Sequence, residues 1–392
     1  MKNFIVFICC IVCFICLILS EIGHAKEIPI KLPIDSQKIN LSLFKESKHS
    51  LEIAGSYLLR AQLSNGSWKS HPAITALVLY SFMVYPSTIT DKKSTQAIKK
   101  GLDYIKSFVK NDGGIYDKEY RNYITAVCLM AFVEANQEKY RTIISNAKKF
   151  LIKFQLDEGE NISEDHPFYG GIGYGGDDRP DLSNTHLALE AIKAAEDYES
   201  KFQKIIPKSM DQIESEQKEL GLHWKKALIF LARCQNVKEI NKMPYATDDG
   251  GFIYETGTYK KERSHSYGSM TYAGVKSLIY AKVDPSDIRI KKAISWIQSN
   301  YTVHENPGFD NTSIYYYYMT FSKCLSVLDE EQVVDTKGIK HDWREDIIKK
   351  LLELQKGDGF WVNSNGRFWE NIQELTTAYA VIGIKFALNR LE

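Results

Sequence analysis

The 392-residue sequence predicts an all-α chain closed into a single (α/α)6 toroid, with six inner helices ringed by six outer ones. Three observations predict it. Charge-rich amphipathic segments alternate six times with charge-poor segments that are apolar nearly all round. Within each pair stands a turn built from Gly with Asp, Asn or an aromatic residue; Gln62-Leu-Ser-Asn-Gly66-Ser-Trp68 and Gln355-Lys-Gly-Asp-Gly359-Phe-Trp361 are the clearest copies. Neither terminal hairpin has an obvious polar capping face, so the last apolar helix is expected to pack on the first.

Residues 1–25 read as an export signal: Lys2 is followed by an apolar run over 4–19, then by the small residues of Gly23-His24-Ala25. The run is shorter than the about 20 residues a membrane span needs, so an exported, periplasmic or extracellular protein is expected rather than an anchored one. Residues 26–44, polar and with Pro29 and Pro33, read as an extended arm, and the toroid is expected over 45–392.

Outer helices are expected over 49–62, 94–109, 140–155, 222–235, 286–300 and 342–355. In the fifth, Ile290, Ala293, Ile294 and Ile297 form one stripe while Arg289, Lys291 and Lys292 face away. Inner helices are expected over 72–85, 120–135, 181–195, 267–281, 312–328 and 374–388. Pro72 suits a first turn and Asp181 an N-cap. Residues 156–180 and 196–221 lengthen the third hairpin and the connection after it, and charged 211–219 reads as a solvated excursion.

Composition narrows the function. A net charge of +1 leaves no basic excess to neutralise phosphates, which argues against a nucleic-acid binder. Four of the seven cysteines (Cys9, Cys10, Cys13, Cys16) fall in the export segment. Cys128, Cys234 and Cys324 sit in apolar helical patterns and make neither a disulfide framework nor a metal spacing. No P-loop, serine-hydrolase elbow or dinucleotide fingerprint occurs. The glycine-dense 170–176 stretch does not follow a strand.

The repeated turn resembles the QW-type repeats of squalene–hopene cyclases and protein prenyltransferase β subunits. Gln stands in five of six copies (Gln62, Gln155, Gln235, Gln298, Gln355), while the second reads Lys110-Asn-Asp-Gly113-Gly114. The resemblance covers one toroid, half of a squalene–hopene cyclase. Ser266-Tyr-Gly-Ser-Met-Thr-Tyr-Ala-Gly274, Tyr315-Tyr-Tyr-Tyr318 and His341-Asp-Trp-Arg344 look like a single-domain bacterial branch of prenyltransferase/squalene-oxidase-repeat proteins. It implies a central cavity for a small-molecule ligand, an isoprenoid or other lipid, and is compatible with a peripheral membrane contact. Physically, Gln is expected to meet free N–H groups of its turn, Gly to permit the turn, and Trp or Phe to pack between hairpins.

The family's chemistries are not preserved. The cyclases protonate an alkene with the middle Asp of D-x-D-D. In Arg179-Pro-Asp-Leu-Ser-Asn-Thr185, Asp181 matches the first position, but Ser183 stands at the proton donor and Asn184 at its partner. A hydroxyl is no strong acid near neutral pH. The prenyltransferases hold zinc with Asp, Cys and His; His265 and Tyr267 fall at the Asp and Cys positions, so neither a metal nor another cofactor is expected. Asp177-Asp178-x-x-Asp181 matches a Mg2+-diphosphate motif by letter only, because it precedes a helix and contains Pro180.

Candidate catalytic groups are Asp181, either a helix cap or an acid whose pKa is raised by Asp177 and Asp178, and His265 with Tyr267. Candidate ligand contacts at or near the inner-helix starts are Asp178, His186, Asp249, Tyr272, Tyr315, Tyr316, Trp369 and Glu370. The expected function is binding or transformation of an isoprenoid or other apolar substrate. A carbohydrate-active (α/α)6 lyase or hydrolase is the alternative, since aromatic platforms with acids also suit sugars. A non-catalytic binding or scaffold protein is the third reading.

Overall fold

The computed structural model describes residues 41–84, 92–175, 179–202, 210–257 and 265–389. The expected export signal and nearly all of the expected arm lie outside these residues. The odd-numbered helices are the outer ones: α1 (Leu41–Ala61), α3 (Lys92–Lys106), α5 (Arg141–Lys153), α7 (Met210–Cys234), α9 (Ile288–Ser299) and α11 (Trp343–Leu354). The even-numbered helices are the inner ones: α2 (Pro72–Met83), α4 (Arg121–Glu134), α6 (Leu182–Phe202), α8 (Gly268–Tyr280), α10 (Ile314–Leu328) and α12 (Gln373–Leu388). A short hairpin of β1 (Val333–Val334) and β2 (Lys340–His341) sits between α10 and α11.

Burial separates the two rings. Every residue from Pro72 to Phe82 in α2, and from Glu374 to Leu388 in α12, is buried. Outer α3 buries only Ser94, Ala97, Gly101, Leu102 and Ile105, a stripe at helical spacing. Each inner helix packs on the next, and α12 packs on α2, closing the ring; outside it, α11 also packs on α1. None of the helices among the described residues is long and apolar enough to cross a membrane.

Three boundaries differ from the sequence expectation. Helix α1 begins at Leu41, so residues 41–44 are helical rather than part of an extended arm. Helix α6 runs on to Phe202, and α7 starts at Met210, so 211–219 is a helical extension and not a loop excursion.

The repeated Gln joins neighbouring hairpins. Gln62 Nε2 donates to Gly66 O of its own turn and to Ala97 O of the next outer helix, both at 2.9 Å. Gln155 bridges Gly170 O and His223 O, Gln235 bridges Gly250 O and Arg289 O, and Gln355 bridges Gly359 O and Ser50 O. The expectation of a turn N–H as partner is not met. The amide instead donates to two carbonyls, one of them on the following repeat. Gln298 makes no such bond among the described residues.

The turn glycine has a second task besides its left-handed backbone. Gly66 has φ +86°, and a Cβ there would lie 2.5 Å from Lys100 O, three residues beyond the Gln62 acceptor. The pattern recurs at Gly170 against Lys226 O, Gly250 against Lys292 O and Gly359 against Ile53 O, so these four hairpins each lay a bare backbone on the next. The following aromatic locks its own hairpin: Trp68 Nε1 bonds Leu58 O and Trp361 Nε1 bonds Leu351 O, each at 2.7 Å. A threonine early in the inner helix receives the backbone N–H at the aromatic position. Thr75 serves Trp68, Thr125 Ile115, Thr185 Ile172, Thr271 Phe252 and Thr377 Trp361. This threonine is a repeat signal that the sequence carries openly.

Candidate functional site

The inner helices share one direction, so their N-termini ring one face of the toroid. A cavity of about 380 Å3 opens there. Tyr120 and Tyr123 enter from the start of α4, Tyr174 and Tyr254 from the loops before α6 and α8, Tyr267 from the start of α8, Tyr316 from α10 and Tyr379 from α12. Phe309, Phe368 and Trp369 complete the aromatic wall, with Leu187, Met270 and Leu375 as its aliphatic patches. Ser183, Ser269, Ser313, Arg367 and Glu370 are its polar members.

The mouth is held in an uncommon backbone. Tyr120 and Ser313, each just before an inner helix, have φ +54°, and consecutive Phe368 and Trp369 have φ +57° and +64°. Non-glycine residues in this region cluster at ligand sites, where the surroundings hold them. Trp369 is held edge-on by His71 at 5.3 Å and Tyr120 at 6.0 Å, and Tyr120 in turn meets Tyr174 at 5.2 Å. Phe368, Trp369 and Tyr120 stay partly exposed, so the mouth is a rim of aromatic edges.

Two carboxyl groups adjoin the cavity. Glu370 lines it, nearly buried, with Oε1 accepting the Tyr316 N–H at 2.8 Å and Oε2 accepting Asn363 Nδ2 at 2.8 Å. It thereby caps α10, whose own N-cap Ser313 offers no side-chain bond. Burial pushes its pKa up to about 7, against the amide bonds that favour the charged form. Asp181 sits just behind Ser183 as the N-cap of α6. It accepts Asn184 N–H at 2.8 Å and Asn184 Nδ2 at 2.6 Å, and burial pushes its pKa up to about 7 too.

A polar chain leads inward from the wall. Ser183 Oγ lies 3.3 Å from Tyr316 OH, which lies 3.4 Å from His186 Nδ1. His186 Nε2 faces Glu190 Oε2 at 3.9 Å, and Glu190 is clasped by Lys276 (2.9 Å) and Lys323. Burial and the Lys276 charge hold the imidazole pKa well below its usual value. The neutral ring can accept a hydrogen bond from Tyr316 OH at Nδ1, while its buried Nε2 faces Glu190 without a hydrogen bond. Farther along the same helices Glu190, Tyr280 and Phe386 line a second hollow of about 150 Å3, so the ion cluster separates two spaces.

The structure sorts the sequence candidates. It brings together Tyr267, Tyr316, Trp369 and Glu370 on the cavity wall, with Asp181 and His186 directly behind. His265 is exposed outside the cavity, its Nε2 3.1 Å from Gly308 O, because the backbone turns over between it and Tyr267. Asp249 is spent on its own turn, accepting Gly251 N–H (2.9 Å) and Ser266 Oγ–H (2.7 Å). Tyr272 points away into the helix layer against Phe321 (5.0 Å), and Tyr315 faces Val362 O, one residue's rotation from Tyr316. Asp178 lies outside the described residues. Tyr120, Tyr123, Tyr174, Tyr254, Tyr379 and Arg367 are not among the sequence candidates, although most stand at or close before an inner-helix start. The three cysteines are buried thiols, none of them on the cavity wall.

Solved structures share this architecture. A variant of the type II terpene cyclase MstE from Scytonema, in complex with its product merosterolic acid A, superimposes with a TM-score of 0.52 at 15% identity, over 89% of this chain and 99% of that one. This chain shares its fold with a type II terpene cyclase. A protein from Actinoplanes (TM-score 0.51, 13% identity, 87% and 99% covered) has it as well. So does a glycosidase in complex with glucose (TM-score 0.51, 11% identity, 90% and 99% covered). No protein-family model matches the sequence, and no curated protein matches it.

Proposed function

We propose that this chain is an exported, terpene-cyclase-like toroid that takes up an isoprenoid or similarly apolar chain in its aromatic cavity and transforms it by proton transfer. The observation that carries the proposal is the wall itself. Ten of its eighteen lining residues are aromatic, and three aliphatic side chains fill the gaps. Its volume falls in the range of about 300–1,000 Å3 usual for small-ligand sites. The ring faces suit an apolar chain and a transient positive charge along it.

The usual acid position holds Ser183, but two carboxyl groups beside the wall remain partly protonated near neutral pH. Glu370 touches the cavity, and Asp181 stands one side chain behind it. The structural neighbour MstE is seen with geranylgeranyl dihydroxybenzoate as substrate, which supports a prenyl chain as the occupant here. The N-terminal segment supports a site of action outside the cytoplasm.

The test is direct titration of the purified mature chain with geranylgeraniol and, separately, with a glucose oligosaccharide, followed by mass spectrometry of the incubated ligand. Micromolar binding of the prenyl alcohol with none of the saccharide supports the proposal. Saccharide binding without prenyl binding would replace it with the carbohydrate-active reading.

A further inference from the structure

Among the described residues Arg367 is the one cation on the cavity wall, and it stands at the mouth. Two other cations are paired with carboxylates: Lys69 with Glu374 at 3.3 Å and Arg179 with Glu255 at 3.9 Å. Among the described residues no carboxylate pairs with Arg367. Its guanidinium lies instead over the rings of Phe368 (5.1 Å) and Phe309 (5.6 Å). Glu370, also on the wall, has its two carboxyl oxygens engaged by Tyr316 N–H and Asn363 Nδ2.

The position of this charge is built. The Asn365 side chain accepts the Arg367 N–H at 3.1 Å and donates to Thr312 Oγ1 at 3.0 Å, tying the turn to the start of α10. The left-handed Phe368 and Trp369 then fix the direction in which the chain leaves this turn toward α12. A guanidinium laid on aromatic faces has lost part of its water on that side. It still presents a planar fork of donors that fits a carboxylate or phosphate with two bonds.

We infer that Arg367 receives the anionic head group of an amphiphile whose apolar chain occupies the aromatic cavity. The ligand class is therefore a prenyl or comparable apolar chain ending in a carboxylate or phosphate. The chain lies inside among the tyrosines, and the head stays at the mouth. This rests on the apolar-chain reading above and adds which end of the chain stays outside.

Three probes with one C20 chain test it: geranylgeraniol, geranylgeranoic acid and geranylgeranyl monophosphate. Affinities are read from quenching of tryptophan fluorescence in the wild type, Arg367→Met and Arg367→Lys. The expected result is that at least one acidic probe binds the wild type about tenfold or more tightly than the alcohol. Arg367→Met abolishes that preference while the alcohol's affinity changes by less than about twofold, and Arg367→Lys keeps part of it. Whichever acidic probe is preferred names the head group. Equal binding of all three probes by the wild type, or an equal loss of all three in Arg367→Met with an unchanged melting temperature, would overturn the inference and leave the apolar-chain reading standing. Failure of all three to bind the folded wild type would remove both.

Discussion

The side-chain amide of Gln355 lies 3.1 Å from the carbonyl oxygen of Ser50, and this bond fastens the sixth hairpin to the first. The same amide holds Gly359 O, so one side chain shapes its own turn and closes the ring. Replacing Gln355 with Ala leaves both carbonyls without this donor. The expected cost is about 1–3 kcal/mol of unfolding free energy. Gln298, which makes no such bridge among the described residues, is the internal control: Gln298→Ala is expected to stay within about 0.5 kcal/mol. Urea unfolding of the two variants side by side decides the point.

Gly170 gives a sharper contrast. Its φ is +82°, and a Cβ would meet Lys226 O at 1.9 Å, so Gly170→Ala both strains the turn and pushes two hairpins apart. A loss above about 3 kcal/mol, or failure to accumulate as folded protein, is expected. Gly221, inside α7, has open space around the place a methyl would take, with nothing within 4 Å, and should behave oppositely. Gly221→Ala is expected to gain up to about 1 kcal/mol through helix propensity. Melting temperatures moving in the same direction would refute the packing role assigned to the turn glycine.

Asp181 should write itself into the pH dependence of stability. Burial raises its folded pKa to about 7, above the ordinary carboxylate range of the unfolded chain. Between about pH 4 and pH 7 the folded state therefore binds more protons than the unfolded state, and stability falls as pH rises through that window. The contribution is fully present below about pH 4 and lost above about pH 7. Asp181→Asn removes it, so the difference between wild type and variant should change with pH by a few kcal/mol at most across the window. A difference that is flat from pH 4 to pH 8 would show that the carboxyl is held ionised.

If the cavity works by the proposed proton transfer, binding and conversion should separate. Glu370→Gln and Asp181→Asn keep the size of each side chain and remove the transferable proton. If either carboxyl is the acid, its variant should bind the prenyl probe with unchanged affinity and lose about 10²–10⁴-fold in conversion rate. Loss of binding together with conversion would mark Glu370 as the cap of α10 and nothing more. Product analysis by mass spectrometry under single-turnover conditions distinguishes the two.

Much of the scaffold was legible because it repeats. Charge-poor stretches such as 72–83 have no solvent-compatible face, so their burial in an inner ring followed from composition alone. The Gln role was half legible. A terminal amide both donates and accepts, and nothing local reveals that its partner is a carbonyl on the next hairpin, such as Ala97 O. The site was legible as a place more than as a set of residues. Tyr315 and Tyr316 are adjacent letters, but about 100° of helical rotation sends one toward Val362 and the other into the cavity. His265 and Tyr267 stand two residues apart, on either side of a turn that no propensity announces. Arg367 gave no signal, because its placement depends on left-handed Phe368 and Trp369, conformations that their residue types do not favour.

Glu190, Lys276 and Lys323 link α6, α8 and α10 between the cavity and the second hollow. Parting buried, paired charges is strongly unfavourable, so the cluster holds the two spaces apart. Among the described residues the aromatic cavity and the second hollow are thus two spaces and not one tunnel. An apolar chain taken up as proposed would have to leave past Phe368 and Trp369, by the route it entered. For such a chain, entry and exit would share one door, and each occupant would have to leave before the next could enter.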